Sequence, residues 1–188
     1  MRTASPERLS EILDAACRVI CERGADALRM QDVADCAGVS RALLHYHYAN
    51  RADLLRRAFE HADSAVDRHI EAVLEGASSP RERLKRLLSA YLDDDPTVRM
   101  NWSVWFEMRR AALYDPTLRP AVDESWDSWI DQVAGLLEAC GPLDDSRSGA
   151  TRLCALVDGL GEQRLARRLS YGEARDLVLR ALDSELAR

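Results

Sequence analysis

The sequence predicts an all-α protein, and three observations support this fold class. Helix-start signals recur along the chain, apolar residues repeat at helical spacing, and no stretch alternates as a strand does. Ser5-Pro6-Glu7 places a capping hydroxyl, a proline and an acid where the first helix begins. Comparable signals follow at Asn50, Asp95-Pro96 and Asp115-Pro116, and as predicted capping boxes at Ser79 with Glu82 and Ser170 with Glu173.

These signals divide the chain into about nine helices. Apolar residues recur every three or four positions from Ile12 to Ile20, as expected for the buried stripe of the first helix. Gly24 follows and is suited to a helix end. The fourth helix has the same spacing from Leu54 to Leu74. The predicted ranges are 6–22, 30–36, 40–47, 51–75, 80–93, 96–113, 116–139, 145–168 and 172–187.

Length and charge narrow the class of protein. The chain has 188 residues, a net charge of −6 and no apolar run near the roughly 20 residues that span a bilayer. The first residues lack the apolar segment of a secretory leader, so we expect a cytoplasmic protein. Residues 1–58 carry nine Arg against eight Asp and Glu, so the excess acid lies in the rest of the chain. The N-terminal part is therefore compatible with binding to phosphate groups.

The sequence lacks the motifs of common enzyme classes. It contains no HExxH, no GxSxG and no glycine-rich phosphate loop, so we predict neither an enzyme nor a cofactor or metal. The acidic run 93–95 precedes Pro96 directly, and we interpret it as a solvated helix cap. Five cysteines are present without zinc spacing. Cys17 and Cys21 lie one helical turn apart, which leaves both a thiol sensor and packed, reduced thiols open.

Two short helices joined at residues 37–40 indicate a helix-turn-helix, in which the second helix enters the DNA major groove. Gly38 can adopt the positive φ of a tight turn, and Ser40 can cap the second helix. Leu44 of that helix faces inward. A tight helical hairpin within a bundle is the alternative, but four outward-facing residues favour DNA binding, where Arg, His and Tyr can bond bases or phosphates. These residues are Arg41, Ala42, His45 and Tyr46.

The stretch from Ile12 to Leu55 resembles the DNA-binding domain of TetR-family transcriptional regulators. The match covers about residues 9–60 and includes three helices, the Ala-Gly-Val-Ser turn, and a basic residue shortly before paired leucines. Several recognition-helix residues depart from the family pattern, which leaves the operator sequence open. Tyr48, in place of the usual Phe, is expected to pack. The resemblance implies DNA contacts by Gln31, Ser40, Arg41, Ala42, Leu43, His45, Tyr46, His47 and Arg51.

All four tryptophans fall on two consecutive predicted helices. Aromatic stripes of this kind are typical of a bundle core. However, Arg109 is a cation within such a stripe, and an aromatic cavity with a few polar groups is what a small-molecule site requires. Spacing alone leaves both interpretations open. The stripes contain Trp102, Trp105, Phe106 and Arg109 on one helix, and Trp126 and Trp129 on the next.

Residues 80–185 are similar, more loosely, to BetI-type C-terminal domains. This similarity implies a ligand-responsive repressor with an effector cavity in the C-terminal bundle, without specifying choline. Asp158 beside tryptophans would suit an organic cation, whereas Arg109 would suit a carboxylate, so the charge of the effector stays open. The residues expected near the cavity are His69, Trp102, Trp105, Phe106, Arg109, Trp126, Trp129 and Asp158.

The last two helices carry leucine-rich stripes that suit either an intramolecular core or a dimer. Gly159 and Gly161 would permit close approach of another backbone. The family pairs through these helices as a four-helix bundle, so the resemblance implies a homodimer that meets a palindrome. The residues expected at this interface are Leu153, Leu156, Val157, Leu160, Leu177, Val178, Ala181 and Leu182.

We therefore expect a DNA-binding transcriptional regulator that responds to a small-molecule effector. Residues 1–50 would form the helix-turn-helix domain, and residues 51–188 the effector-binding and dimerisation domain. The expected form is a dimeric repressor on a palindromic operator, released when the effector binds. A transcriptional activator of the same architecture is the alternative, and an all-α enzyme or an adaptor is more remote.

Overall fold

A computed structural model describes residues 5–141 and 145–187, and these residues form helices joined by turns, without a strand. The all-α prediction is confirmed. The predicted domain ranges 1–50 and 51–188 include residues 1–4, 142–144 and 188, which lie outside the described residues. Within the described ranges, no helix has the length and apolar character needed to cross a membrane. The helices are α1 (Pro6–Arg23), α2 (Met30–Ala37), α3 (Arg41–His47), α4 (Arg51–Leu74), α5 (Pro80–Ala90), α6 (Pro96–Ala112), α7 (Arg119–Cys140), α8 (Ser146–Leu165) and α9 (Tyr171–Glu185).

Most helix starts form as predicted. The Ser5 side chain accepts a hydrogen bond from the Arg8 amide, and Ser170 forms a complete capping box with Glu173. The predicted box of α5 forms only by half: Ser79 caps the Glu82 amide at 3.2 Å, but the Glu82 carboxylate accepts from the Ser78 amide and hydroxyl instead. These bonds and that of Arg86 lower the pKa of Glu82 to about 2.

Three helix ends differ from the predicted ranges because local turns replace the last or first residues. After α5, the amides of Leu92 and Asp93 bond back to Ser89 and Ala90 in a tight turn. Before α7, the Asp115 side chain accepts from the Thr117 amide and hydroxyl, so it builds a turn and not a helix cap. After α8, Arg167 has a φ of +56° and the chain leaves the helix.

The chain divides into two compact units. The first unit comprises Met1–Ala65 and Ser103–Asp123, and the second comprises Val66–Trp102 and Glu124–Arg188. In the first unit α1 packs on α2 and α2 on α3. The predicted stripe of α1 is buried from Ile12 to Ile20, and Phe59 on α4 is also buried. The core of this unit therefore holds the three N-terminal helices together.

The second unit is a helical bundle in which α9 packs against α5 and α8. Arg81 and Asp183 pair at 2.7 Å on its surface, and Arg152 makes a two-pronged ion pair with Glu185 at 2.8 Å. The apolar side of the bundle is formed mainly by leucine and valine. Its fully buried members include Leu84, Leu87, Leu88, Leu153, Val157, Val178 and Leu182.

Candidate DNA-binding, effector and pairing sites

The short helix α3 is anchored from beneath and capped at its start. Gly38 has the left-handed conformation (φ 63°) that the tight turn after α2 requires, as predicted. The Ser40 hydroxyl then accepts a hydrogen bond from the Leu43 amide at 3.2 Å. Leu44 is fully buried and Tyr48 is 4% exposed, so both act as packing residues. These contacts fix the orientation of a helix of only seven residues.

The opposite side of α3 is exposed and polar. Arg41, Ala42, His45 and Tyr46 all lie in solvent, and the Tyr46 ring is 53% exposed. The Arg41 Nε group donates to the Nε2 atom of His45 at 3.2 Å, one helical turn away. This bond leaves the forked end of the guanidinium available, and that fork matches the edge of a guanine base.

Four further residues predicted to contact DNA have different surroundings. Gln31 is exposed and donates to Asp35 at 2.7 Å, and His47 packs edge-on against the Tyr46 ring. Leu43 is half-buried. Arg51 donates through Nε to the Leu28 carbonyl at 3.1 Å and through its Nη2 atom to the Ala25 carbonyl. Arg51 thus holds the loop between α1 and α2, a role that the sequence did not indicate.

The same loop is also held by α6, within the first unit. The Glu107 carboxylate accepts a hydrogen bond of 2.7 Å from the Ala25 amide. Arg110 pairs with Asp26 at 2.8 Å. The hydrogen bond from Arg110 lowers the pKa of Asp26. Side chains of α4 and α6 therefore hold the backbone of this loop and also its Asp26 side chain.

An aromatic cluster lies in the second unit, and we call Tyr91, Trp102 and Trp129 the aromatic trio. The rings of Tyr91 and Trp129 are 4.5 Å apart, and those of Tyr91 and Trp102 are 6.4 Å apart. The Trp102 indole donates to the Tyr91 carbonyl at 2.6 Å. A Cβ atom at Gly161 would lie 2.7 Å from the Trp102 ring, so only glycine fits there without displacing the indole. Sequence reasoning missed Tyr91, because it lies at the end of α5 and outside both tryptophan stripes.

A small surface pocket, partly open to solvent, lies beside Trp102. Asp94 forms an ion pair there with Arg164, whose side chain is 9% exposed. The Asp94 carboxylate also lies 3.7 Å from the Arg99 guanidinium. The pocket therefore offers aromatic, cationic and anionic groups together. Its lining residues are Tyr91, Leu92, Asp93, Asp94, Arg99, Trp102, Gly161, Arg164 and Leu165.

Three of the remaining predicted effector residues also belong to the second unit. Asp158 is 9% exposed. Burial raises the pKa of the Cys154 thiol, and the nearby Asp158 carboxylate raises it further. His69 has a buried Nε2 atom without a hydrogen-bond partner among the described residues, and its Nδ1 atom is 3.9 Å from Asp95. Trp126 is half-buried. The unsatisfied ring nitrogen of His69 is a feature that a polar ligand can complete.

The other predicted effector residues form a separate group in the first unit. The Arg109 guanidinium lies 4.5 Å from the centre of the Trp105 ring, a cation–π contact, and is itself exposed. The Phe106 ring meets Trp105 edge-on. The arginine that interrupts the aromatic stripe is thus satisfied by an aromatic face and by solvent.

Burial changes the interpretation of the pairing helices. Five of the eight predicted interface residues are at most 6% exposed inside one protomer, so they pack mainly within it. The sequence stripe there marks the core of the bundle. Leu177 is 39% exposed, and Leu156 and Ala181 are partly exposed, so these three can reach a partner. The five buried residues are Leu153, Val157, Leu160, Val178 and Leu182.

A different stripe on α8 is open to solvent. Thr151, Ala155 and Gly159 follow each other at intervals of four and are all exposed. A Cβ atom built at Gly159 meets nothing within 4 Å. Small residues at this spacing allow a second helix to approach closely.

The two cysteines one turn apart have different surroundings. Cys17 is fully buried, its Sγ atom lies 3.4 Å from the Ala58 carbonyl, and burial raises its pKa to about 12. Cys21 is exposed, and its pKa is also raised. Neither thiol has the lowered pKa of a reactive cysteine, which argues against a thiol sensor.

Comparison with known proteins gives consistent matches along the chain. Residues 12–58 match the family described as bacterial regulatory proteins, tetR family, and residues 80–187 match the C-terminal domain of BetI-type transcriptional repressors. The HTH-type transcriptional regulator BetI of Agrobacterium fabrum is 31% identical over 156 residues, which are 82% of this chain and 75% of that protein. The regulator of the same name from Rhizobium meliloti is 29% identical over 156 residues, covering 82% of this chain and 76% of that protein.

Two solved structures share both fold and sequence with this chain. A TetR-family transcriptional regulator from Rhodococcus sp. is 33% identical, with a TM-score of 0.84 over 97% of this chain and 100% of that one. A transcriptional regulator from Saccharomonospora viridis in complex with choline is 30% identical, with a TM-score of 0.85 over 95% of this chain and 97% of that one.

Proposed function

Because the chain belongs to the TetR family of bacterial transcriptional regulators, we propose that it is a dimeric repressor whose palindromic operator is released when a small molecule binds. It is a ligand-responsive DNA-binding regulator and not an enzyme. The observation that carries the proposal is the exposed polar face of α3, held rigidly from beneath by Leu44. We expect the protein to bind its operator in the cytoplasm.

The proposed DNA contacts divide into base and phosphate contacts. Arg41 is the first candidate for a base contact, because the forked end of its guanidinium is exposed and its Nε group is oriented by His45. The Tyr46 side chain is 53% exposed and can bond a base or a phosphate. Arg51 keeps 40% of its side chain exposed while it holds the α1–α2 loop, so a phosphate can still be reached. The remaining proposed contacts are Gln31, Ser40, Ala42, Leu43, His45 and His47.

We propose that two protomers pair through the exposed stripe of α8 and the exposed part of α9. The stripe consists of Thr151, Ala155 and Gly159, and Leu177 is a large apolar residue that α9 exposes. A dimer about a two-fold axis would bring two recognition helices to successive major grooves, about 34–36 Å apart. Residues 51–188 would then serve effector binding and pairing, and residues 1–50 would read DNA.

Selection of bound fragments from random DNA tests the DNA-reading and pairing parts of the proposal together. The expected product is a palindrome whose half-sites are one helical turn apart, or a multiple of it. Recovery of single half-sites would contradict the dimer, and recovery of no sequence above background would contradict specific DNA binding. The selected duplex then serves in the binding measurements below.

The aromatic trio and Asp158 support an organic cation as effector. Aromatic faces attract quaternary ammonium groups, and a buried carboxylate supplies the counter-charge. All four residues belong to the second unit, as does His69, whose buried Nε2 atom could bond a polar group of the ligand. The choline complex of the relative from Saccharomonospora viridis makes choline the first compound to test. For Trp105, Phe106 and Arg109 a role in effector binding remains a prediction.

We expect choline to quench the tryptophan fluorescence of the protein saturably and to release the selected duplex, whereas acetate should do neither. Asp158→Asn keeps every tryptophan reporter and removes the counter-charge. It should weaken choline binding about ten-fold or more, since a charge-assisted contact contributes about 1.5–3 kcal/mol.

Asp127→Asn removes an exposed carboxylate of the same unit and is the matched control, expected to bind choline as the wild type does. Saturable quenching by acetate alone would contradict a cationic effector. Quenching by choline that D158N leaves unchanged would remove Asp158 from the site.

A further inference from the structure

The C-terminal end of α2 lies directly before the recognition helix and lacks a basic residue of its own. The last turn of α2 contains no Lys, Arg or His. Gly38 ends the helix, and the amides of Gly38 and Val39 both bond back to the Ala34 carbonyl. Those bonds leave the later carbonyls of the turn, at Ala37 and Gly38, to find other donors. A cation is favoured at this position by the helix dipole.

Arg8, on the first turn of α1, supplies the missing cation. Its Nη2 atom donates to the Ala37 carbonyl at 3.1 Å and to the Gly38 carbonyl at 2.9 Å. Its Nη1 atom donates to the Glu11 carboxylate on the same helix. One guanidinium therefore joins α1 to the turn between α2 and α3, across 30 residues of sequence, while Glu11 orients it.

We propose that Arg8 is a positioning residue for DNA reading: it fixes the peptide groups of the turn and thereby the direction in which α3 leaves it. The proposal rests on the function proposed above, since it matters only if α3 reads DNA. Two residues separate Gly38 from the start of α3, one of them the capping Ser40. Rotation of the Gly38–Val39 peptide would therefore turn α3 as a whole and displace Arg41.

A direct phosphate contact is the competing role for an arginine near the DNA-reading surface. The geometry favours positioning, because both terminal nitrogens of Arg8 already donate to groups of the protein. The side chain is 38% exposed, less than that of a freely solvated arginine. The Ser5 cap uses only the backbone amide of Arg8, so a substitution of the side chain leaves the start of α1 intact.

Amide hydrogen exchange tests the positioning role without any DNA. Arg8→Gln should raise the exchange rate of the Val39 amide about five-fold, the effect expected for the loss of a partly exposed hydrogen bond, and leave the amides of α1 unchanged. Arg18→Gln, on the exposed face of the same helix, is the matched control and should change neither. Unchanged Val39 exchange in R8Q would overturn the proposal, whatever the protein binds.

DNA binding supplies the second readout. R8Q should lower affinity for the selected duplex about five-fold and affinity for random duplex less than about two-fold, with the salt dependence unchanged. Arg8→Lys keeps the charge but loses the fork, so it should resemble R8Q if Arg8 positions the turn. Equal losses on both duplexes, a salt slope lower by about 0.9 per protomer, and rescue by R8K would together assign Arg8 to a phosphate. If the wild type binds no duplex, the proposed function is wrong. The exchange measurement still tests the contact of Arg8 with the turn, because it uses no DNA.

Discussion

Gly159→Leu is expected to convert the dimer into monomers and to abolish binding to the selected duplex. A Cβ atom added at Gly159 meets nothing within 4 Å in its own protomer, so a larger side chain can begin there without a clash. It should even favour the helix, because glycine within a helix is about 1 kcal/mol less favourable than alanine. In a dimer that pairs through Thr151, Ala155 and Gly159, the same leucine would hold the two copies of α8 apart. A monomer presents one recognition helix to the DNA and loses the contribution of the second.

Analytical ultracentrifugation and thermal unfolding separate these effects. The expected result is a lower mass with a cooperative thermal transition retained, because the variant loses the stabilisation by the partner but keeps its fold. Gly135→Leu is the matched control: Gly135 is also an exposed glycine within a helix, α7, whose Cβ direction is open, and it lies outside the proposed interface. A G159L protein that remains dimeric would place the interface elsewhere, and loss of dimer in G135L would show that α7 takes part.

Arg41→Ala is expected to remove most of the preference for the selected duplex over random DNA. If the Arg41 fork makes a bidentate base contact, its loss should weaken specific binding by about 1–3 kcal/mol, which is about five-fold to more than a hundred-fold. Arg41 is exposed and its structural partner is His45, so the fold should not suffer. Affinity for random duplex should fall far less.

Arg41→Lys distinguishes base reading from charge. Lysine keeps the positive charge for a phosphate but not the planar fork, so R41K should discriminate as poorly as R41A while its salt dependence stays that of the wild type. Fluorescence anisotropy with the selected and a random duplex over a range of salt concentrations measures both quantities. Equal weakening of R41A on the two duplexes, with recovery in R41K, would mean that Arg41 contacts only phosphate.

The helices could be predicted from the sequence because local signals specify them. The caps at Ser5, Ser40 and Ser170 act over three residues, and the stripe of α1 is a property of its own spacing. The exposed face of α3 followed from the same periodicity, since Leu44 had to face inward, whereas the packing of Tyr48 was inferred from the family pattern. Where two local solutions compete, as between a helix cap and a turn at Asp115, the sequence did not decide between them.

Contacts between distant residues could not be predicted in this way. Arg51 was assigned to DNA from its position in the family pattern, whereas its hydrogen bonds to Ala25 and Leu28 depend on how the loop folds back. Glu107 lies 82 residues from Ala25, and nothing in either sequence segment indicates the bond. Leucine stripes, likewise, do not distinguish a core from an interface, because both bury the same side chains.

The Glu107 bond also determines what can move separately in the first unit. Ala25 is fully buried, so pulling the carboxylate away would strand a buried amide at a cost of about 1–3 kcal/mol. We therefore expect the section of α6 from Ser103 onward and the loop before α2 to move together. A displacement of that section would then be passed to the helix-turn-helix through the Glu107 side chain.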